Sequence, residues 1–158
     1  MSRAELARQQ AELISALAGR RSPPDRFDAR RVRIAAEALR DKRVRSIARV
    51  WPRLARAPEF PAALERHLRE HPAPPPSGAL GDGRALARAM AAEGWLPWEA
   101  RLELAEIELR WRWTAAGRRL PRRAAVALAG RRWPPRAVVA VRLPLLGERW
   151  LPLPFTNT

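Results

Sequence analysis

His67 and His71 stand four residues apart with Glu70 between them, a spacing that puts two imidazoles on one helix face, where they could hold a transition metal. Two ligands without a third nearby make an incomplete site, and His71 precedes Pro72, where a helix is expected to end. A solvated helix end is therefore the expectation there. Glu99, Glu103 and Glu106 offer carboxylates for acid–base work, but that chemistry needs a pocket that separates their pKa values. Arg101 and Arg110 lie within a turn of them, so an exposed, ion-paired face is expected instead. The segment "GALGDGRAL" lacks the lysine and the preceding strand of a phosphate-binding loop. No serine or threonine has a credible general base. With no cysteine in the chain, thiolate catalysis, disulfides and cysteine metal sites drop out together. The expectation is a protein that is not an enzyme, with no catalytic residue, no metal ligand and no cofactor.

What remains for chemistry is arginine and tryptophan. The 158 residues carry 31 basic and 16 acidic side chains, a net charge of +15. Residues 1–108 hold 20 basic against 15 acidic groups, whereas residues 109–158 hold 11 against a single glutamate, Glu148. The last third should attract an anionic partner. Every basic residue except Lys42 is arginine, whose planar fork binds carboxylate or phosphate at two points. Of the seven tryptophans, Trp51, Trp98 and Trp113 fit apolar stripes and are expected in the core. Trp133 and Trp150 sit among arginines near the end, suited to stacking, to an interface, or to pinning a sheet.

The elements that must position these residues are mostly helical. "SRAE" fits a capping box, Ser2 with Glu5, opening a helix that Gly19 ends. Asp28 can cap a second helix from Ala29 to Val50, with Val32, Ala36, Leu39, Ile47 and Val50 inward, continued by Trp51. Lys42, Arg45 and Arg49 fall on another face of it and are the candidate basic face for a partner. Pro52 forces a break, and a third helix starts near Pro61 with Leu64 and Leu68 inward. Residues 71–83 read as a polyproline-like loop, with Asp82 capping a short fourth helix that Gly94 ends. The fifth begins near Pro97 and runs through Trp113. After Gly117 the pattern changes to "RRAAVALAG", "RAVVAVRLP" and "GERWLPLPF", three short strand-like runs. Val139, Val141 and Leu143 alternate with Val138, Ala140 and Arg142, and Pro152 confines the last run to a sheet edge. The fold class expected is α+β: about five helices over 1–116, then a small antiparallel sheet of two or three strands over 117–158, packed on the helices.

The stretch "RRVRIAAEALRDKRVRSIARVWPRLARAPEFPAALERHLREHPAPP" resembles a family of helical proteins, once labelled DNA-binding, that accompany multinuclear non-heme iron-dependent oxidative enzymes. The arginine-bearing helix meets an aromatic-proline step at Trp51-Pro52, the next helix ends at His71-Pro72, and a helix follows from Leu96 to Trp111. Over residues 5–155 the chain is similar to a streptomycete-type subfamily with a conserved C-terminal domain. The resemblance implies a partner protein in ribosomal peptide modification that binds the oxidase and its precursor peptide, the iron belonging to the oxidase. In relatives the C-terminal β-region receives the leader; here a short, proline-limited sheet replaces a full winged-helix element. A sheet edge has unpaired amides and carbonyls that an extended peptide can satisfy. Arg136, Arg142 and Arg149 would meet acidic residues of such a leader, Val139, Val141 and Trp150 its apolar side chains, and the helices would hold the enzyme. The alternative is a basic nucleic-acid-binding protein, although no helix-turn-helix stands out. The N-terminus lacks the apolar centre of a signal peptide and no apolar run approaches the ~20 residues of a membrane span, so no membrane partner is expected and the cytoplasm is the expected location.

Overall fold

A computed structural model describes residues 2–18, 21–24, 27–131, 136–145 and 147–153. Five α-helices come first: α1 (Arg3–Leu17), α2 (Ala29–Val50), α3 (Phe60–Glu70), α4 (Gly78–Ala92) and α5 (Trp98–Arg110), with a 3-10 turn at Leu54–Arg56. A two-stranded hairpin follows, β1 (Trp111–Trp113) with β2 (Arg119–Pro121). The chain then forms a three-stranded antiparallel sheet from β3 (Ala125–Arg131), β4 (Arg136–Leu143) and β5 (Gly147–Leu153), in the order β3-β4-β5. The α+β class and the helix-then-sheet order are as the sequence predicts.

Local chemistry accounts for the helix starts. Ser2 Oγ accepts from the Glu5 amide while Glu5 accepts from the Ser2 amide, the reciprocal capping box. Asp28 accepts from the amides of Arg30 and Arg31 and so opens α2. At the far end of α2, Trp51 precedes Pro52 and leaves the helical conformation, at φ −123° and ψ 64°, which stops the helix. The break strands the amides of Arg53 and Leu54. Glu103 of α5 satisfies them, its carboxylate accepting at 3.1 and 2.8 Å. Glu103 is therefore buried, not part of an exposed acidic face, because it replaces the hydrogen bonds that Pro52 removed.

The core collects Ile47, Trp51, Leu54, Leu64, Leu68, Leu86, Met90, Leu96 and Ala100 from α2 through α5. Trp51 is completely buried, and its indole N–H donates to the Leu80 carbonyl at 3.1 Å. Gly83 of α4 lies against that ring: a Cβ there would stand 2.2 Å from Trp51 Cδ1. Beside this contact Arg43, His67 and Asp82 tie α2, α3 and α4 together. Asp82 accepts from Arg43 at 2.5 and 2.8 Å and lies 2.8 Å from His67 Nε2, while Arg43 also donates to the carbonyls of His71 and Pro72.

That cluster corrects three sequence expectations. His67 is a buried partner of Asp82, not a solvated helix end. Asp82 is not an N-cap; it lies inside α4, which starts earlier, at Gly78, because the carboxylate is spent on Arg43 and His67. The loop after α3 shortens accordingly to residues 71–77. Along α2, Leu39 and Val50 are exposed, since only Val32 and Ile47 of the expected stripe are fully buried.

The fifth helix also differs. It stops at Arg110, and Trp111 is already extended. Trp111 and Trp113 satisfy a helical step from Ile107 and Leu109, but they also alternate with Arg112, the period of a strand. Pairing with Arg119–Pro121 decides for the strand, closed by Gly117 at φ 72°, a backbone conformation that glycine favours. Trp111 and Trp113 pack against the core from β1; Trp98 is half-buried.

Candidate docking surface

The three-stranded sheet has two unlike faces, set by the registers Ala129↔Val138, Ala127↔Ala140 and Ala140↔Trp150. On one face stand Ala125, Ala127, Ala129, Val138 and Ala140, small side chains that let α5 lie close beneath β3 and β4. Arg142, Glu148 and Trp150 share that face at its end. Glu148 accepts from Arg110 of α5 at 2.9 Å and from Arg142 at 3.2 Å, a bridge between sheet and helix. The Arg110 hydrogen bond holds the Glu148 carboxyl below its ordinary range and raises the Arg110 guanidinium, burial opposing both.

The opposite face carries the larger apolar residues. Val126, Leu128, Ala137, Val139, Val141, Leu143, Leu151 and Leu153 share it by register; Val126, Leu128, Leu143, Leu151 and Leu153 are exposed and the other three half-buried. Val126 is 70% exposed, Leu128 68% and Leu151 56%. Arg149 is the one charged side chain among these register positions. Exposed aliphatic side chains grouped on one sheet face are the kind of surface on which polypeptides associate.

The sheet edges differ as well. Pro152 of β5 sits opposite Val138 and has no N–H, so the pair cannot exchange two backbone hydrogen bonds. Val138 then directs its backbone groups to Ala129 of β3, and by alternation Ala125 and Ala127 also bond to β4. The amides and carbonyls of Val126, Leu128 and Gly130 point away from the sheet. No strand among the described residues pairs with that edge. The β5 edge lacks a donor at Pro152, whereas β3 has no proline and offers a full row.

The sequence-predicted peptide residues fall on different sides of this sheet. Val139, Val141 and Arg149 share the open face; Arg142 and Trp150 lie on the helix side, Arg142 engaged with Glu148. Arg136 starts β4 opposite Arg131, and its side chain lies outside the described residues, as does Trp133 entirely. The strongest open-face residues, Val126 and Leu128, were not picked out by sequence reading, although their alternation with alanine in "AVALAG" carried the signal. Lys42, Arg45 and Arg49 are exposed on α2, which packs on α1 and α4 while the sheet packs on α5. Lys42 also borders a groove of 980 Å³ between α1, α2 and α3, with Ile14, Leu17, Leu39 and Leu68 along it.

No group of three or more His, Cys, Asp or Glu side chains among the described residues could hold a metal ion, and no described helix is long and apolar enough to cross a membrane. Residues 7–92 match the family model described as SCO6045-like, C-terminal domain, a streptomycete-type family. The chain belongs to this family. The match spans α1 to α4, so for this SCO6045-like chain the sheet and its open face lie beyond the matched residues. No curated protein and no solved structure matches it.

Proposed function

We propose that this SCO6045-like protein is a non-catalytic partner that binds a multinuclear non-heme iron-dependent oxidase and the oxidase's precursor peptide during ribosomal peptide modification. One observation carries the peptide half of this reading: among the described residues, an exposed aliphatic sheet face lies beside a proline-free β3 edge that no strand pairs with. An extended segment laid along β3 gains backbone hydrogen bonds from Val126, Leu128 and Gly130 while its alternate side chains continue the aliphatic face. The oxidase half rests on the resemblance of the helical region, and in this reading the helices, with Lys42, Arg45 and Arg49 outward, hold the enzyme. The iron and the chemistry stay with the oxidase; this chain needs no cofactor.

Nucleic-acid binding draws support from the net charge and from tryptophans set among arginines. The open face holds one arginine, and the rings of Trp111 and Trp113 are already covered by Arg119 and Arg84, each 4.8 Å above its ring. Bases would find little to stack on there.

Co-expression with a multinuclear non-heme iron-dependent oxidase and its precursor peptide, followed by affinity capture, tests the proposal. The wild type is expected to retain both. Leu128→Asp and Val139→Asp place a carboxylate on the aliphatic face; they are expected to fold, keep the oxidase and lose about tenfold or more of the peptide. Unchanged capture by both folded variants contradicts the site, and absence of the oxidase from the wild-type complex contradicts the partner role.

A further inference from the structure

The β1–β2 hairpin gathers a second, chemically different surface. Residues 112–123 contain Arg112, Arg118, Arg119, Arg122 and Arg123 and no acidic residue. Trp111 and Trp113 turn toward the core, and Arg112 pairs with Leu120 on the hairpin's other face. Two of the five arginines are held in place: Arg119 lies over the Trp111 ring, and Arg122 Nε donates to the Trp111 carbonyl at 3.3 Å. Those two are engaged within the hairpin, which leaves Arg112, Arg118 and Arg123 exposed toward a ligand.

Elsewhere this molecule repeatedly sets a carboxylate between two arginines. Glu148 lies between Arg110 and Arg142, Glu108 between Arg84 and Arg88, and Glu106 between Arg110 and Arg53. The hairpin arginines repeat the clustering without a carboxylate among the described residues. Their field reaches α4: burial lowers the Arg84 guanidinium, and repulsion from Arg88 and Arg122 adds to that, against the pull of Glu108.

We propose that the β1–β2 hairpin, through the exposed Arg112, Arg118 and Arg123, docks an acidic surface of a partner polypeptide. Carboxylates suit the site because arginine forks bind them two at a time and the local tryptophan faces are occupied by guanidinium groups. This surface is separate from the aliphatic face, which selects apolar side chains. The proposal stands apart from the partner-protein reading, since an acidic partner of any activity satisfies it.

Fluorescence polarisation with a labelled peptide of alternating glutamate and alanine tests it at roughly physiological ionic strength. Arg112→Glu/Arg118→Glu/Arg123→Glu is compared with Arg3→Glu/Arg8→Glu/Arg30→Glu, exposed arginines far along the chain whose reversal makes the same change in net charge. The hairpin variant is expected to bind about tenfold or more weakly, the control variant within about threefold of wild type. Should the reversal variant melt early, glutamine at the same three positions is expected to weaken binding about threefold, enough to read. Equal losses in the two sets reduce the effect to net charge and overturn the proposal, as does a wild type that binds no peptide. Tighter, hairpin-dependent binding of a single-stranded oligonucleotide of equal charge reassigns the surface to nucleic acid.

Discussion

Removing the Asp82 carboxylate leaves the Arg43 guanidinium, 11% exposed, facing a buried space with no counter-charge. Breaking a buried pair from one side costs about 3–5 kcal/mol, so Asp82→Ala is expected to lower the urea unfolding free energy by that order. Burial by itself raises the Asp82 pKa, but hydrogen bonds from Arg43 and His67 outweigh it and the net shift is downward from 3.8. The sign follows: the stabilisation is complete above that value and declines as pH falls below it, because the unfolded chain takes up the proton first. The stability difference between wild type and Asp82→Asn should therefore shrink on acidification below pH 3.8, and a difference that stays constant there contradicts the assignment. At this scale the sequence was only partly legible. Capping at Ser2 and Asp28 depends on residues two or three apart and could be read directly. The Arg43–Asp82 and Leu54–Glu103 contacts join residues 39 and 49 positions apart, which no local pattern encodes.

Element by element, α1 to α3 follow from helical spacing, and the three strands of the larger sheet from short apolar, β-branched runs bounded by proline or glycine. The β1–β2 hairpin did not, because Trp-Arg-Trp at the end of α5 satisfies two periods at once and only pairing with Arg119–Pro121 chooses between them. The sheet's two faces were readable on β4, whereas which face α5 covers was not: small side chains on β3 and β4 decide it together. The same pairing logic gives a paired prediction on β3. Leu128→Pro removes an amide directed away from the sheet and is expected to cost little stability while abolishing capture of an extended peptide. Ala127→Pro removes a ladder hydrogen bond and is expected to cost about 1–3 kcal/mol by thermal or urea unfolding. Equal stability of the two variants would show that the alternation along β3 runs the other way.

For the whole molecule, a charge of +15 coexists with an open sheet face nearly free of charge. Salt screens interactions among exposed charges beyond about 8–10 Å but leaves aliphatic burial and backbone pairing almost untouched. Peptide capture through the sheet should persist as salt is raised, while docking of an acidic partner on the hairpin arginines should weaken. The central claim, that β3 receives another chain on its free edge, is tested most directly by backbone hydrogen exchange at Val126 and Leu128 with saturating precursor peptide. Those two amides are expected to slow about tenfold or more while the amides of Ala125 and Ala127, already bonded to β4, change little. Val126 and Leu128 exchanging at their free rates in a peptide-saturated protein would contradict it.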